Sequence, residues 1–241
     1  PVKPFDDARK SFPGVFYGQG KDVVSTHPFD KEETAMEQIA AVKRHSRKQM
    51  DTKTVVKIGM LSAISIVLML FELTLPILPS FLKLDISDLP ALVGAVTMGP
   101  LAGMLIELVK NLLHLFQTST AGVGELANFL VGIALVLPLG FCYQRKKSLA
   151  GYLQGLVLGA ACMVVVACVF NYYILIPAFS VAFGTPVASF VEMAKAINPH
   201  VVDLKTLVVL AVGPFNLIKA ALIGAIGYPL CKAAKKILSL H

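Results

Sequence analysis

The chain has 241 residues, of which 56% are hydrophobic and only 15% are charged, and its formal net charge is +7. Its mean hydropathy of +0.71 exceeds what a soluble domain of this length needs, so the composition excludes an ordinary soluble protein. Two uncharged runs, residues 126–144 and 148–191, reach about the 20 residues that cross a hydrocarbon core. We therefore expect a helical membrane protein whose excess positive charge lies in loops that set its orientation, with no nucleic-acid partner.

The first 53 residues form a polar region that we expect to be a cytoplasmic N-terminal extension, partly helical from about residue 30. In the run DKEETAMEQIAAVKRHSRKQM, Asp30 is a candidate N-cap with Glu33 three residues later, and basic residues follow toward the end. This pattern indicates a surface helix. It is either an ordinary solvated helix or linker, or a basic segment that lies against anionic lipid heads or a partner subunit.

Residues 54–241 are predicted to form an all-α membrane domain with six transmembrane helices. The hydrophobic segments cover about residues 54–78, 89–98, 100–116, 123–143, 149–183 and 204–230. The second segment is too short to cross the membrane straight, so Gly99 and Pro100 predict a tight turn between two closely packed helices. Pro177 is expected to interrupt the fifth segment.

Basic residues alternate between the two sides of this arrangement. They concentrate before the first segment (residues 43–57), after the fourth (145–147) and after the sixth (232–236). The loops on the opposite side carry only Lys83, Lys195 and Lys205. The positive-inside rule then predicts a multi-pass protein of the cell membrane with both termini in the cytoplasm.

Two polar residues interrupt the last apolar segment, VLAVGPFNLIKAALIGAIGYPL. Asn216 and Lys219 are three residues apart, so they share one face of a helix. An unpaired ammonium near the bilayer centre costs at least about 2.5–3.5 kcal/mol, which makes such a lysine a functional-site hypothesis. The alternative is a lysine that snorkels to the interface.

Further polar side chains cluster toward the outer side of the predicted spans, and they are Asp85, Asp88, Glu125, Asn128 and Asn171. Asparagine offers both a donor and an acceptor, so this set resembles a pocket that reads a planar, amide-rich heterocycle inside an apolar wall. In the third segment Glu107, Lys110 and His114 line one helix stripe. Glu107 and Lys110 are interpreted as a structural ion pair.

Catalytic motifs are missing from the sequence, which contains no GxSxG, HExxH, CxxC or P-loop pattern. We therefore expect neither an enzyme nor a metal site, and no ATP hydrolysis by this chain alone. Gly59 and Ala63, four residues apart at the start of the first segment, form a strip that another helix can approach closely. Packing within the chain is the alternative use of that strip.

Three stretches together resemble one known family: FLKLDISDLPALVGAVTMGPLAGMLIELVKNLLH, GVGELANFLVG and GPFNLIKA. They resemble the riboflavin-specific substrate-binding (S) component of energy-coupling factor (ECF) transporters, over about Lys57 to Lys236. The resemblance implies six helices and a flavin site near the outer face, capped by the loop between the first two helices. Asn216 and Lys219 match the family's ring-binding residues, Asn171 matches the one on the fifth helix, and Leu84 falls in the capping loop.

The same resemblance implies a transmembrane coupling subunit and two cytoplasmic ATPase subunits as partners, with Gly59 and Ala63 at the coupling contact. Riboflavin is the expected transported ligand, with its phosphate FMN left open, and no resident cofactor is expected. We expect aliphatic residues to sandwich the flavin ring, and Lys219→Ala to weaken flavin binding without unfolding the protein.

Two departures from the family and two rival functions stay open at this point. The polar N-terminal region and the stretch 177–203 are longer than the family pattern. One rival keeps the fold but binds another vitamin or heterocycle. The other is a self-sufficient, proton-coupled secondary transporter with Glu107, Lys110 and Glu125 as a proton relay.

Overall fold

A computed structural model describes residues 51–74, 76–79, 81–118 and 120–238, with side chains described through residue 236. The predicted helix from about residue 30, and all but the last three residues of the predicted N-terminal extension 1–53, lie outside the described residues.

Helices dominate the described part of the chain, and a single small strand pair accompanies them. The helices are α1 (Thr52–Met69), α2 (Leu89–Met98), α3 (Pro100–His114), α4 (Val123–Lys146), α5 (Leu149–Phe170), α6 (Ile176–Phe183), α7 (Val187–Lys195), α8 (Leu204–Leu207) and α9 (Gly213–Leu238). Strands β1 (Leu73–Thr74) and β2 (Lys83–Leu84) pair antiparallel in the α1–α2 connection. A 3₁₀ turn follows α3 at Leu115–Gln117.

The predicted all-α membrane class is confirmed. Four continuous helical stretches among the described residues are long and apolar enough to cross a membrane: 52–69, 123–146, 149–183 and 204–236. Helices α2 and α3 are each too short to do so alone. The predicted first segment was too long, because the helix ends at Met69 and the hairpin occupies the residues that follow.

Helices α2 and α3 meet at the predicted tight turn. Gly99 connects them with φ of 112°, a value that favours glycine because a Cβ would be strained there. A Cβ placed on Gly103 would lie 2.7 Å from Cβ of Ala95 and 2.8 Å from the carbonyl oxygen of Ala91. The absence of a side chain at residue 103 therefore lets the two helices pack backbone to backbone, as the sequence predicted.

Two π-helical turns interrupt the long spans, at Asn171–Leu175 between α5 and α6 and at Val208–Val212 between α8 and α9. Each turn is followed two residues later by a proline, Pro177 or Pro214, which lacks the N–H that a regular α-helix requires. The interruption expected at Pro177 lies a few residues upstream, at the π turn Asn171–Leu175, and the chain remains helical through Phe183. Single π turns often mark functional sites.

Candidate substrate-binding site

A cavity of about 360 Å³ lies where α1 and α5 end and where α4 and α9 begin, between the two π turns. Its size falls in the range of roughly 300–1,000 Å³ typical of small-molecule sites. Six of the predicted site residues line it: Asp85, Glu125, Asn128, Asn171, Asn216 and Lys219. Leu84 instead points into the hydrophobic core, and its neighbours Leu82, Lys83 and Asp85 face the cavity.

Lys219 has its ionic partners within the chain. Its Nζ lies 2.9 Å from Oδ2 of Asp85 and 3.0 Å from Oδ2 of Asp88. Lys110 Nζ lies 2.6 Å from Oδ1 of Asp88 and 2.7 Å from Oε2 of Glu107. The predicted Glu107–Lys110 ion pair is therefore confirmed, and Asp88 links it to Lys219. The Lys219 side chain is only 5% exposed, so the alternative that it snorkels to the membrane interface does not fit the structure.

Hydrogen bonds fix the segment that carries Asp85 and Asp88. The backbone N–H of Ser87 donates to Oδ1 of Asp85 at 2.9 Å, and the Ser87 hydroxyl donates to the same oxygen. The Ser65 hydroxyl on α1 donates to the carbonyl oxygen of Ser87, and Lys110 donates to its hydroxyl. This part of the α1–α2 connection is thus held to α1, α3 and α9 together.

Asp85 and Asp88 remain ionised even though burial disfavours their charged forms. Burial is the largest single influence and raises the pKa of Asp85, but Lys219, Lys110 and the hydrogen bond from Ser87 together outweigh it and leave the pKa below its usual value. For Asp88 burial acts in the same direction, and the nearby Lys110 and Lys219 again lower the net pKa. Asp85 therefore contributes a negative charge to the cavity lining, and the fully buried Asp88 lies behind it.

Asn171 begins the first π turn, and Asn216 lies one helical turn after the second. The amide nitrogen of Asn171 donates to the carbonyl oxygen of Ala167 at 2.8 Å, and that of Asn216 donates to Val212 at 2.9 Å. Neither Oδ1 atom has a hydrogen-bond partner among the described residues, and both side chains line the cavity. Each asparagine therefore presents a free acceptor to whatever fills the space.

Glu125 lines the cavity, but both of its carboxylate oxygens bond to residues at the end of α3 and in the connection between α3 and α4. Its Oε1 lies 2.9 Å from Nδ1 of His114, and its Oε2 accepts from the hydroxyls of Thr118 at 2.9 Å and Thr120 at 3.2 Å. Asn128, one turn further along α4, contacts the sulfur of Met69 at 3.8 Å. Glu125 therefore holds the connection between α3 and α4 in place, in addition to offering polar atoms to a ligand.

The apolar walls of the cavity are aromatic as well as aliphatic. Five phenylalanines line the cavity: Phe81, Phe179, Phe183, Phe190 and Phe215. Phe190 comes from α7, within the stretch 177–203 that looked extended in the sequence, and it packs edge to face on Phe81 with centroids 5.6 Å apart. The four-residue spacing of Phe179 and Phe183 on one helix face was the signal available in the sequence.

Gly59 and Ala63 lie on an exposed face of α1. A Cβ added to Gly59 would meet no atom within 4 Å. Among the described residues, nothing therefore packs closely against Gly59.

Comparison with known proteins identifies the family. The family model described as "ECF transporter, substrate-specific component" matches residues 53–231. The chain belongs to this family. It is therefore an integral membrane transport protein of the cell membrane that works with an ECF module, and it is not an enzyme.

Named relatives and a solved structure agree with this assignment. The chain is 38% identical over 177 residues to the "Riboflavin transporter FmnP" of Bacillus subtilis, covering 72% of this chain and 87% of the relative. It is 34% identical over 183 residues to the "Riboflavin transporter RibU" of Staphylococcus aureus, covering 76% and 90%. A structure titled "Structure and mechanism of the S component of a bacterial ECF transporter" matches with TM-score 0.63 and 31% identity, over 78% of this chain and 99% of the other.

Proposed function

We propose that this chain is the riboflavin-binding subunit of an ECF uptake transporter. The observation that carries the proposal is the convergence of Asn171 and Asn216, each with an unpaired amide oxygen, on one aromatic-walled cavity beside Lys219. The names of the relatives support riboflavin over another vitamin or heterocycle. Membership of the S-component family counts against a self-sufficient proton-coupled transporter.

The polar edge of an isoalloxazine ring matches the free groups of this cavity. Such an edge carries an N–H donor between two carbonyl acceptors, and the amide oxygens of Asn171 and Asn216 are acceptors of the kind that the N–H requires. An ammonium has three hydrogens, and Lys219 donates one to Asp85 and forms an ion pair with Asp88 at 3.0 Å. A remaining hydrogen is available for a ring carbonyl, while the phenylalanine walls contact the ring faces.

The charges around the cavity favour riboflavin over FMN as the ligand. Glu72, Asp85 and Glu125 contribute three carboxyl groups to the lining, against the two lysines Lys83 and Lys219. Lys83 is paired with Glu72 at 2.5 Å, and Lys219 is held by the aspartates. A phosphate dianion would therefore meet carboxylates without a free cation, whereas the hydroxyls of a ribityl chain can bond to either charge type.

The proposed arrangement has six spans with both termini in the cytoplasm, so the cavity opens toward the outer face. The part of the α1–α2 connection that contains Leu84 would close over the captured flavin, next to the segment that the ion pairs of Asp85 and Asp88 hold in place. Gly59 and Ala63 would contact a transmembrane coupling subunit, and two cytoplasmic ATPase subunits would supply the energy that this chain lacks the motifs to harvest. Release would follow a rearrangement against the coupling subunit.

The absorption spectrum of protein purified without added ligand tests the proposal. Flavin bands in the visible range, removed by denaturation and identified chromatographically, would support riboflavin. Titration then compares riboflavin, FMN and a colourless heterocycle such as thiamine by their effect on flavin fluorescence. The chain has no tryptophan, so protein emission interferes little with this signal. A protein that is colourless and leaves added riboflavin fluorescence unchanged would refute the assignment.

A further inference from the structure

A second cavity of about 280 Å³ lies at the opposite ends of α4, α5 and α9 from the substrate cavity. The charged side chains that line it are all lysines: Lys147, Lys232 and Lys235. Tyr143, Tyr152 and Tyr228 form its aromatic wall. We call this feature the basic pocket.

The basic pocket is built from ordered groups in its interior. The Tyr152 hydroxyl donates to the carbonyl oxygen of Gly224 at 2.8 Å, which joins α5 to α9. The Tyr152 ring packs edge to face on Tyr143 and Tyr228. Lys235 donates to the hydroxyl of Tyr143 and lies 4.1 Å from the centroid of its ring. These contacts hold one lysine in place over an aromatic floor.

The other two lysines are unpaired among the described residues. No hydrogen bond or ion pair joins the side chain of Lys147 or Lys232 to another described group, and both residues are exposed. Lys147 ends α4 in a left-handed conformation with φ of 46°, beside Ser148, the N-cap of α5. Two free ammonium groups and a third on the aromatic wall thus converge without a carboxylate in the lining. Such a site is suited to a phosphate-bearing anion.

Exposed apolar side chains continue from the mouth of the pocket along the membrane-facing surface. Leu149 lines the pocket and is 48% exposed, while Leu153 and Leu230 are 49% and 43% exposed. A soluble phosphate would leave these leucine side chains uncovered, whereas acyl chains attached to a lipid phosphate would cover them. Basic pockets between transmembrane helices on the cytoplasmic side are known to bind anionic headgroups.

We propose that the basic pocket binds the phosphodiester headgroup of an anionic phospholipid in the cytoplasmic leaflet. The inference depends on the proposed orientation but not on the identity of the transported ligand. Lys147 and Lys232 bind the phosphate oxygens, Lys235 supports them from the tyrosine wall, and Leu149 and Leu153 contact the first part of an acyl chain.

The test counts, by native mass spectrometry, the lipids that the purified chain retains. Phosphatidylglycerol is titrated against phosphatidylcholine with the same acyl chains. The pocket variant combines Lys147→Gln, Lys232→Gln and Lys235→Gln, and the matched control combines Lys53→Gln, Lys57→Gln and Arg145→Gln, which lose the same charge on the same proposed side. Loss of three charge-assisted contacts to a single phosphate should make the pocket variant bind phosphatidylglycerol on the order of a hundredfold more weakly, whereas the control keeps these contacts.

Retention of the lipid by the wild type and the control, with loss in the pocket variant, supports the proposal. Equal loss in both triple variants would show general charge attraction and overturn it. Inorganic phosphate that displaces the lipid and binds as tightly would assign the pocket to a soluble anion instead. Circular dichroism monitors folding, and if the triple variant unfolds, Lys232→Gln alone should weaken binding about fivefold while Lys232→Arg retains it.

Discussion

The ammonium of Lys219 on α9 lies 2.9 Å from a carboxylate oxygen of Asp85, 134 residues earlier in the chain. Lys219 thereby joins the last helix to the α1–α2 connection. The same residue lines the substrate cavity, so it serves both the fold and the proposed ligand.

Removing Lys219 should therefore destabilise the protein, contrary to the expectation from sequence that Lys219→Ala leaves it folded. Lys219→Met leaves Asp85 as a buried, unpaired carboxylate, and breaking one partner from a buried ion pair costs about 3–5 kcal/mol. Adding Asp85→Asn should recover much of that loss, since Asp88 keeps Lys110 as its partner. Thermal unfolding of both single variants and the double variant measures the coupling. Strictly additive effects would mean that the two side chains act independently.

Asn171 and Asn216 should contribute to binding with little effect on folding. Each side chain bonds only to a carbonyl of its own helix among the described residues, so Asn→Leu at either site removes no contact between helices. Loss of a hydrogen bond to the buried ligand edge costs about 1–3 kcal/mol, or roughly 5- to 150-fold in riboflavin affinity. Flavin fluorescence titration measures it, with Asn198→Ala in the exposed segment before α8 as the control. Unchanged affinity in both Leu variants would remove the asparagines from the site.

The polar residues of the site could be predicted from the sequence, but most of the apolar wall that encloses them could not. Asn216 and Lys219 were recognisable because an amide and an ammonium are costly within an apolar span. Their pairing with Asp85 and Asp88 depends on contacts across the whole chain, which no local pattern encodes. The π turns were also not predictable, because the prolines that follow them indicate only that a regular helix is interrupted. Phe190 was missed because an aromatic residue in a short amphipathic helix is usually an ordinary packing residue.

Phe190 should control how long the flavin remains bound. Its ring packs on Phe81 at 5.6 Å and both rings line the cavity, so Phe190→Ala opens the wall that α7 provides. An aromatic pair is worth about 0.5–1.5 kcal/mol beyond its buried area, which predicts a dissociation rate faster by roughly two- to tenfold. Stopped-flow release of riboflavin measures the rate. Phe141→Ala, at a 54% exposed position on α4 outside the cavity, should leave release unchanged.

The buried aspartates predict how stability depends on pH. Although burial raises their pKa values, the facing lysines lower the net pKa of both Asp85 and Asp88 below the unfolded value of 3.8. A depressed pKa stabilises the fold fully above the unfolded pKa, and the contribution is lost as the pH falls toward the folded pKa. This contribution should therefore be constant from about pH 8 to 5 and decline below about pH 4. Asp85→Asn should flatten the acid decline measured by thermal unfolding. An unchanged acid profile in that variant would assign the decline to other groups.

A bulky substitution in the exposed strip of Gly59 and Ala63 on α1 should reduce transport without changing ligand binding. Gly59 and Ala63 have room on their outer side, and small residues four apart allow a second helix to approach closely. Gly59→Leu adds a bulky side chain there without a clash inside the described chain, so riboflavin affinity of the purified subunit should not change. Uptake by cells that carry the complete ECF transporter should fall sharply, because the coupling subunit can no longer pack against this strip. Val157→Phe, on a 71% exposed position of α5, adds comparable bulk elsewhere and should transport normally. Normal uptake by Gly59→Leu would place the coupling contact on a different face.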